Sequence, residues 1–162
     1  MEKNKIIIED NCIRKKCYDP WIFKEYNTYR QFSHDKDYLP KAISWISNHE
    51  YTIEKIEILC TIGDGLQNPT KYKLNKKAIT KIPIVFNKIF SDCLDLSNEH
   101  LEENRYFMHK DLHIENLIMT PDHKIILIDI DAFETTHKMV PYKWLNNMFT
   151  VLWMTKEALE RV

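Results

Sequence analysis

The residue types most able to do chemistry in this chain gather between positions 109 and 131. The run Phe107-Met108-His109-Lys110-Asp111-Leu112-His113-Ile114-Glu115-Asn116-Leu117-Ile118-Met119 is followed by Ile126-Leu127-Ile128-Asp129-Ile130-Asp131. Moving a phosphoryl group to a hydroxyl needs a carboxylate to orient or deprotonate the acceptor. It also needs oxygen ligands that hold magnesium against the phosphates, and cations that position and neutralise the charge. Asp111, with Asn116 five residues later on a loop closed by apolar runs, offers the base and one metal ligand. Asp129, at the end of the next apolar run, offers the main metal ligand. Oxygen donors of this kind suit Mg²⁺ and not zinc. A hydrolytic metal centre on His109, Asp111 and His113 would need further ligands that the sequence does not place.

These residues need elements to hold them. Residues 105–108 and 117–119 are short apolar runs flanking the polar loop, and 124–128 reads as a strand after the turn Thr120-Pro121-Asp122-His123. Upstream, 5–9 and 12–18 read as a hairpin about Asp10-Asn11. Asp19-Pro20 starts a helix that carries Ile22, Phe23, Tyr26, Tyr29 and Phe32 at helical spacing. After Pro40, 41–47 and 51–59 read as two more strands. Residues 74–95 have a helical pattern interrupted by Pro83, which predicts a break with Pro83 opening a second helix. From Pro141 to Val162 the pattern is amphipathic helix. Its apolar face of Trp144, Leu145, Met148, Phe149, Leu152 and Trp153 should pack on the rest, with any remainder offering a surface for self-association. Strands with one helix, then mainly helices, make an α+β pattern.

Composition narrows the class. A chain of 162 residues with 44% apolar and 29% charged side chains is one ordinary globular domain. Its net charge of −1 gives no bias toward nucleic acid or an anionic membrane. The start MEKNKIIIED is not a secretory signal, and no stretch approaches the roughly 20 apolar residues of a membrane span. Cys12, Cys17, Cys60 and Cys93 show no paired spacing, so reduced thiols in a cytoplasm are expected. Lys71 to Lys88 holds six lysines and no acid, a run that reads as a solvated helix face, with recruitment of a polyanionic acceptor or nucleic acid as the alternative.

His109-Lys110-Asp111-Leu112 with Asn116 resembles the catalytic loop of the protein-kinase-like superfamily, H-R-D-L-x-x-x-N, with Lys for Arg. His113 and the run Ile128-Asp129-Ile130-Asp131 resemble more closely the aminoglycoside phosphotransferase and choline kinase branch, H-x-D-x-H-x-x-N and I-D-x-D. The resemblance implies a reduced two-lobed fold: residues 1–60 as a small sheet lobe with one helix, and 61–162 as a helical lobe with the catalytic loop and metal-binding strand. It implies ATP and Mg²⁺ as cofactors, Asp111 as base, and Asn116 and Asp129 as metal ligands. His109 buttresses the loop in that reading; His113 either does the same or meets substrate, and Asp131 assists the metal, shapes the acceptor pocket or caps a helix. A strand lysine, Lys15 or Lys16, would grip the phosphates and pair with Glu25 on the following helix. Period-two alternation lets only one of the two lysines face a cleft, with Lys15 favoured. Adenine would lie against the backbone near Cys60-Thr61-Ile62.

The match has a gap. The only two glycines, Gly63 and Gly65, follow that hinge and suit a turn, so the glycine-rich loop expected on the first hairpin is missing. Two functions are therefore carried forward. One is a phosphotransferase acting on a hydroxyl, with a small-molecule acceptor and a protein acceptor as the variant. The other is a pseudokinase-type module acting through a protein partner.

Overall fold

Alternation in the first residues builds an antiparallel sheet in the computed structural model, which describes residues 5–16, 36–40, 44–47, 50–101, 105–128, 132–136 and 141–162. Strands β1 (Lys5–Ile8) and β2 (Cys12–Lys16) form the expected hairpin with Ile8 opposite Ile13. With β3 (Ser44–Ser47) and β4 (Glu50–Glu54) they make a four-stranded sheet in the order β1-β2-β4-β3. Opposed residues share a face. Lys15 lies opposite Tyr51, which is buried, and Ile13 lies opposite Ile53. The other face carries Arg14 and Lys16, paired with Glu50 at 3.0 and 3.7 Å.

The strand expected over 51–59 stops at Glu54. Past that point the Lys55 amide adds one bond to the β2–β4 pairing, to the Asn11 carbonyl, and the Leu59 amide donates to the Met119 carbonyl. Ile58, inside the expected strand, is exposed. Cys17, Tyr18 and the expected helix from Pro20, including Glu25, lie outside the described residues.

Among the described residues three helices follow: α1 (Ile62–Gln67), α2 (Lys76–His100) and α3 (Pro141–Leu159). Asn75 caps α2, its side-chain oxygen accepting from the Ala78 amide at 2.9 Å. The break expected at Pro83 does not occur; α2 runs unbroken through it. An internal proline removes one helical hydrogen bond and costs about 3 kcal/mol. The apolar side of α2 offsets that, since Ala78, Ile79, Ile82, Phe86, Ile89 and Cys93 are all buried at helical spacing.

Helix α3 packs on α2 through Trp144, whose ring lies 4.7 Å from that of Phe90, and Val151 and Ala158 are buried on the same side. The apolar face expected to pack is only partly used. Leu145, Phe149, Leu152 and Trp153 are all exposed, Phe149 by 68%.

Two small β elements complete the α+β architecture. Strand β5 (Cys60–Thr61) pairs with β7 (Leu117–Met119), which pairs with β8 (Ile125–Leu127). Strand β6 (Tyr106–His109) pairs with β9 (Phe133–Thr136), a strand the sequence pattern did not suggest. Buried Ser97 ties β6 to α2 by donating to the Cys93 carbonyl and accepting from the Phe107 amide. Among the described residues, no helix is long and apolar enough to cross a membrane.

Candidate active site

The loop between β6 and β7 is fixed at both ends before any chemistry is considered. At its start the Lys110 amide donates to the Ala132 carbonyl at 2.9 Å, extending the β6–β9 ladder by one bond. At its end the Ile128 amide donates to the Asn116 carbonyl at 2.9 Å, so the exit of β8 lies against the loop. Leu112 anchors the middle by burial, at 1% exposure. Residues 113–116 then close a turn, with the Asn116 amide donating to the His113 carbonyl at 3.0 Å.

Asp111 stands on this loop with its side chain 44% exposed. Three groups converge on it. The Lys143 ammonium, reaching from α3, donates to Oδ1 at 2.9 Å and to the Lys110 carbonyl at 3.3 Å. The His113 Nε2 lies 3.2 Å from Oδ2. The Asn116 amide nitrogen donates to the Asp111 carbonyl at 2.8 Å and sits 3.4 Å from Oδ2. The Lys143 hydrogen bond is the largest influence on the carboxyl. Together with the charges of His113 and Lys143 it outweighs partial burial and holds Asp111 below its ordinary pKa.

The tautomer of His113 follows from its other nitrogen. The Glu115 amide donates to Nδ1 at 3.2 Å, so a neutral ring carries its proton on Nε2 and donates it to Asp111. His109 plays a different part. It is fully buried, with its ring edge-on to Phe133 at 4.9 Å, and it cannot meet a substrate there. Among the described residues, no three His, Cys, Asp or Glu side chains are placed to hold a metal ion, so the hydrolytic centre on His109, Asp111 and His113 is not assembled.

The loop thus brings together Asp111, His113 and Asn116. Asp129 and Asp131 lie outside the described residues, as does Glu25. Lys15 shares the sheet face of buried Tyr51, whereas Lys16 turns to the opposite face and pairs with Glu50. Cys60 and Thr61, at the expected hinge, pair with Met119 and Ile118 of β7.

Gly63 and Gly65 do not form the turn expected of them; they lie inside α1, which Thr61 caps through the Asp64 amide. Helix α1 meets the loop at Gly63. Its amide donates to the Ile114 carbonyl, and a Cβ there would overlap the Glu115 carboxylate.

Lys143 and Asn147 were missed by sequence reasoning. Asn147 donates to the Leu112 carbonyl at 2.6 Å, so both residues reach the loop from one face of α3. Their signal was a polar pair at i, i+4 beside the apolar stripe, hidden by attention to the stripe alone.

No protein-family model matches the chain, and no curated protein matches it. Among solved structures, one similar fold is a divergent kinase lacking the glycine-rich loop that regulates membrane ultrastructure of the Toxoplasma parasitophorous vacuole. It aligns with a TM-score of 0.58 and 13% identity over 91% of this chain and 53% of that one. The chain therefore spans about half the length of the solved structure it matches. At that identity the likeness speaks for architecture alone, and it shows that the small antiparallel sheets and the helical part compose a kinase-like fold.

Proposed function

We propose that the chain is an ATP- and Mg²⁺-dependent phosphotransferase that phosphorylates a hydroxyl, with a small molecule as acceptor and Asp111 as base. The observation carrying this reading is Asp111 itself. It is an ionised, part-exposed carboxylate on a loop pinned at both ends, with Lys143, His113 and Asn116 converging on it. A carboxylate has about four lone-pair sites. With three donors in place, one direction remains for an acceptor O–H, and depression of its pKa keeps it ionised across the neutral range.

The donor set fits Mg²⁺. The Asn116 amide nitrogen is turned to Asp111, which leaves its Oδ1 without a partner among the described residues and available as a hard oxygen ligand. Asn116 would hold the ion together with Asp129, placed by sequence at the exit of β8. Bound there, Mg²⁺ would neutralise phosphate charge. Lys15, on the face of Tyr51, is the favoured strand lysine for the phosphates. Lys143 would offer a second cation beside the acceptor, one that does not depend on a glycine-rich loop. The branch resembled, aminoglycoside phosphotransferases and choline kinases, favours a small acceptor, and the proposed setting is the cytoplasm.

One observation favours the second reading, a pseudokinase-type module acting through a protein partner. Lys143 pairs directly with the carboxylate that would have to receive the acceptor proton. The similar solved structure is likewise described as divergent and lacking the glycine-rich loop.

Thermal unfolding with and without ATP plus Mg²⁺, alongside the variant Asp129→Asn, separates these readings. Ligand at about a hundred times its dissociation constant stabilises by about 2.7 kcal/mol, equivalent to roughly 5–10 °C for a chain of this size. A shift that requires Mg²⁺ and disappears in Asp129→Asn is expected. No shift in the wild type at millimolar ATP would remove the stand-alone phosphotransferase and leave the binding module.

A further inference from the structure

We propose that the groove between the N-terminal half of α2 and the turn joining β7 to β8 docks an acidic peptide segment of a partner protein, one that carries an aliphatic side chain among its carboxylates. A cavity of about 690 Å³ opens here, inside the roughly 300–1,000 Å³ typical of ligand sites. It lies at the turn end of the β7–β8 hairpin. Asn116 and Ile128 mark the opposite end, so the groove is separate from Asp111 and does not depend on its chemistry.

The groove joins an apolar wall to uncompensated positive charge. Ile84 stands 65% exposed on the wall, next to Val85, and the floor is formed by Ile126. Four lysines line it: Lys55, Lys81, Lys88 and Lys124. Two of these are already answered, Lys88 by Asp37 at 3.4 Å and Lys124 by Asp122 at 2.9 Å. Glu54, the other carboxylate in the lining, adds its charge to that holding Lys124 protonated. Among the described residues, Lys55 and Lys81, both in the lining, have no ion-pair partner.

Helix energetics do not account for the charge. Lys77, Lys81, Ile84 and Lys88 recur at i, i+4, i+7 and i+11, which places them on one face of α2. Like charges at i, i+4 repel, and cations in the first turns oppose the helix dipole. No acid offsets them in the first turn of α2. Lys88 is answered within the chain by Asp37 and Asp92; Lys77 and Lys81 work against the helix that bears them, and an external anion would answer Lys81 in the groove. Exposed apolar side chains beside two unpaired cations suit a peptide whose carboxylates meet Lys55 and Lys81 while an aliphatic side chain covers Ile84 and Val85.

Fluorescence anisotropy of a labelled nonapeptide alternating glutamate with leucine, titrated with the full chain, tests this. Two peptides of equal length serve as controls, one alternating lysine with leucine and one of glutamate alone. Saturable binding of the first peptide is expected, weakened at least about tenfold by Lys81→Glu and, separately, by Ile84→Ser. These are exposed positions whose variants should keep the wild-type circular dichroism. The control peptides should bind far more weakly, and Asp111→Asn should bind the acidic peptide as the wild type does. The proposal is overturned by absence of binding, by binding indifferent to Lys81→Glu and Ile84→Ser, or by sedimentation showing that this face joins two copies of the chain.

Discussion

Both carboxylate oxygens of Asp111 are engaged, Oδ1 by Lys143 and Oδ2 by His113, and this decides what removing Lys143 should do. Lys143 is the largest influence depressing the Asp111 pKa, so in Lys143→Met the acid limb of the pH–rate profile should move up toward the ordinary carboxylate value. Lys143→Arg should restore much of the wild-type profile. At neutral pH the carboxylate is ionised in either protein. The rate there should fall only through lost positioning, by up to about a hundredfold, in a nucleoside-triphosphate consumption assay. A rise in rate would instead mean that Lys143 restrains the base, as the pseudokinase reading requires. At this scale the sequence was informative wherever spacing was local. Asp111 and Asn116, five apart on one loop, could be read together and are found hydrogen-bonded. Lys143 stands 32 positions from Asp111 and is brought to it by tertiary packing alone, which no local pattern encodes.

Helix α2 shows the same division among elements. Its helical pattern was legible because apolar residues such as Ala78, Ile79 and Ile82 recur at a spacing that acts within one turn or two, whereas the expected start at 74 ran past Asn75, which caps the helix. Pro83 was read as a stop because propensity counts its cost and cannot count the packing against β6 and α3 that outweighs it. Strand β9 escaped notice for a related reason: its partner β6 lies far upstream, and Phe133 alone of its residues is buried. The continuity of α2 makes Pro83→Ala a direct measure of that cost. The substitution restores an amide donor for the Ile79 carbonyl and should add about 1–3 kcal/mol to the unfolding free energy. Roughly 0.4–1 kcal/mol of the gain would be lost again because the unfolded chain is freed. Urea denaturation would register this as a higher midpoint at unchanged slope. No gain would mean that the backbone at Pro83 is locally distorted and that the helix is two segments after all.

Across the whole molecule, the segment 36–40 is what ties the hairpin β7–β8 to α2. The Leu127 amide donates to the Tyr38 carbonyl at 2.7 Å, and the Tyr38 hydroxyl donates to Asp92 at 2.8 Å. Lys36 closes on the same carboxylate at 3.1 Å, and Lys88 stands at 3.5 Å. Burial alone would raise the Asp92 pKa. The hydrogen bonds from Tyr38 and Lys36 and the charges of Lys36 and Lys88 outweigh it, and the net shift is downward. Burial and the neighbouring carboxylate push the Tyr38 hydroxyl upward, so it remains a neutral donor at every relevant pH. A carboxyl whose pKa is lower folded than unfolded stabilises the protein above the unfolded value, and that contribution fades as pH falls through the folded value. Asp92→Asn should therefore destabilise at pH 7, where it removes an ionised acceptor from three donors, and Tyr38→Phe should cost about 1.5–3 kcal/mol there, as for a hydrogen bond to a charged group. Urea unfolding of wild type and Asp92→Asn at descending pH should show the two midpoints converging below the ordinary aspartate value. A gap that stays constant down to the acid limit would assign the effect of Asp92 to packing in place of charge. The link from 36–40 to α2 would then hold by burial of Tyr38 and Leu39 alone.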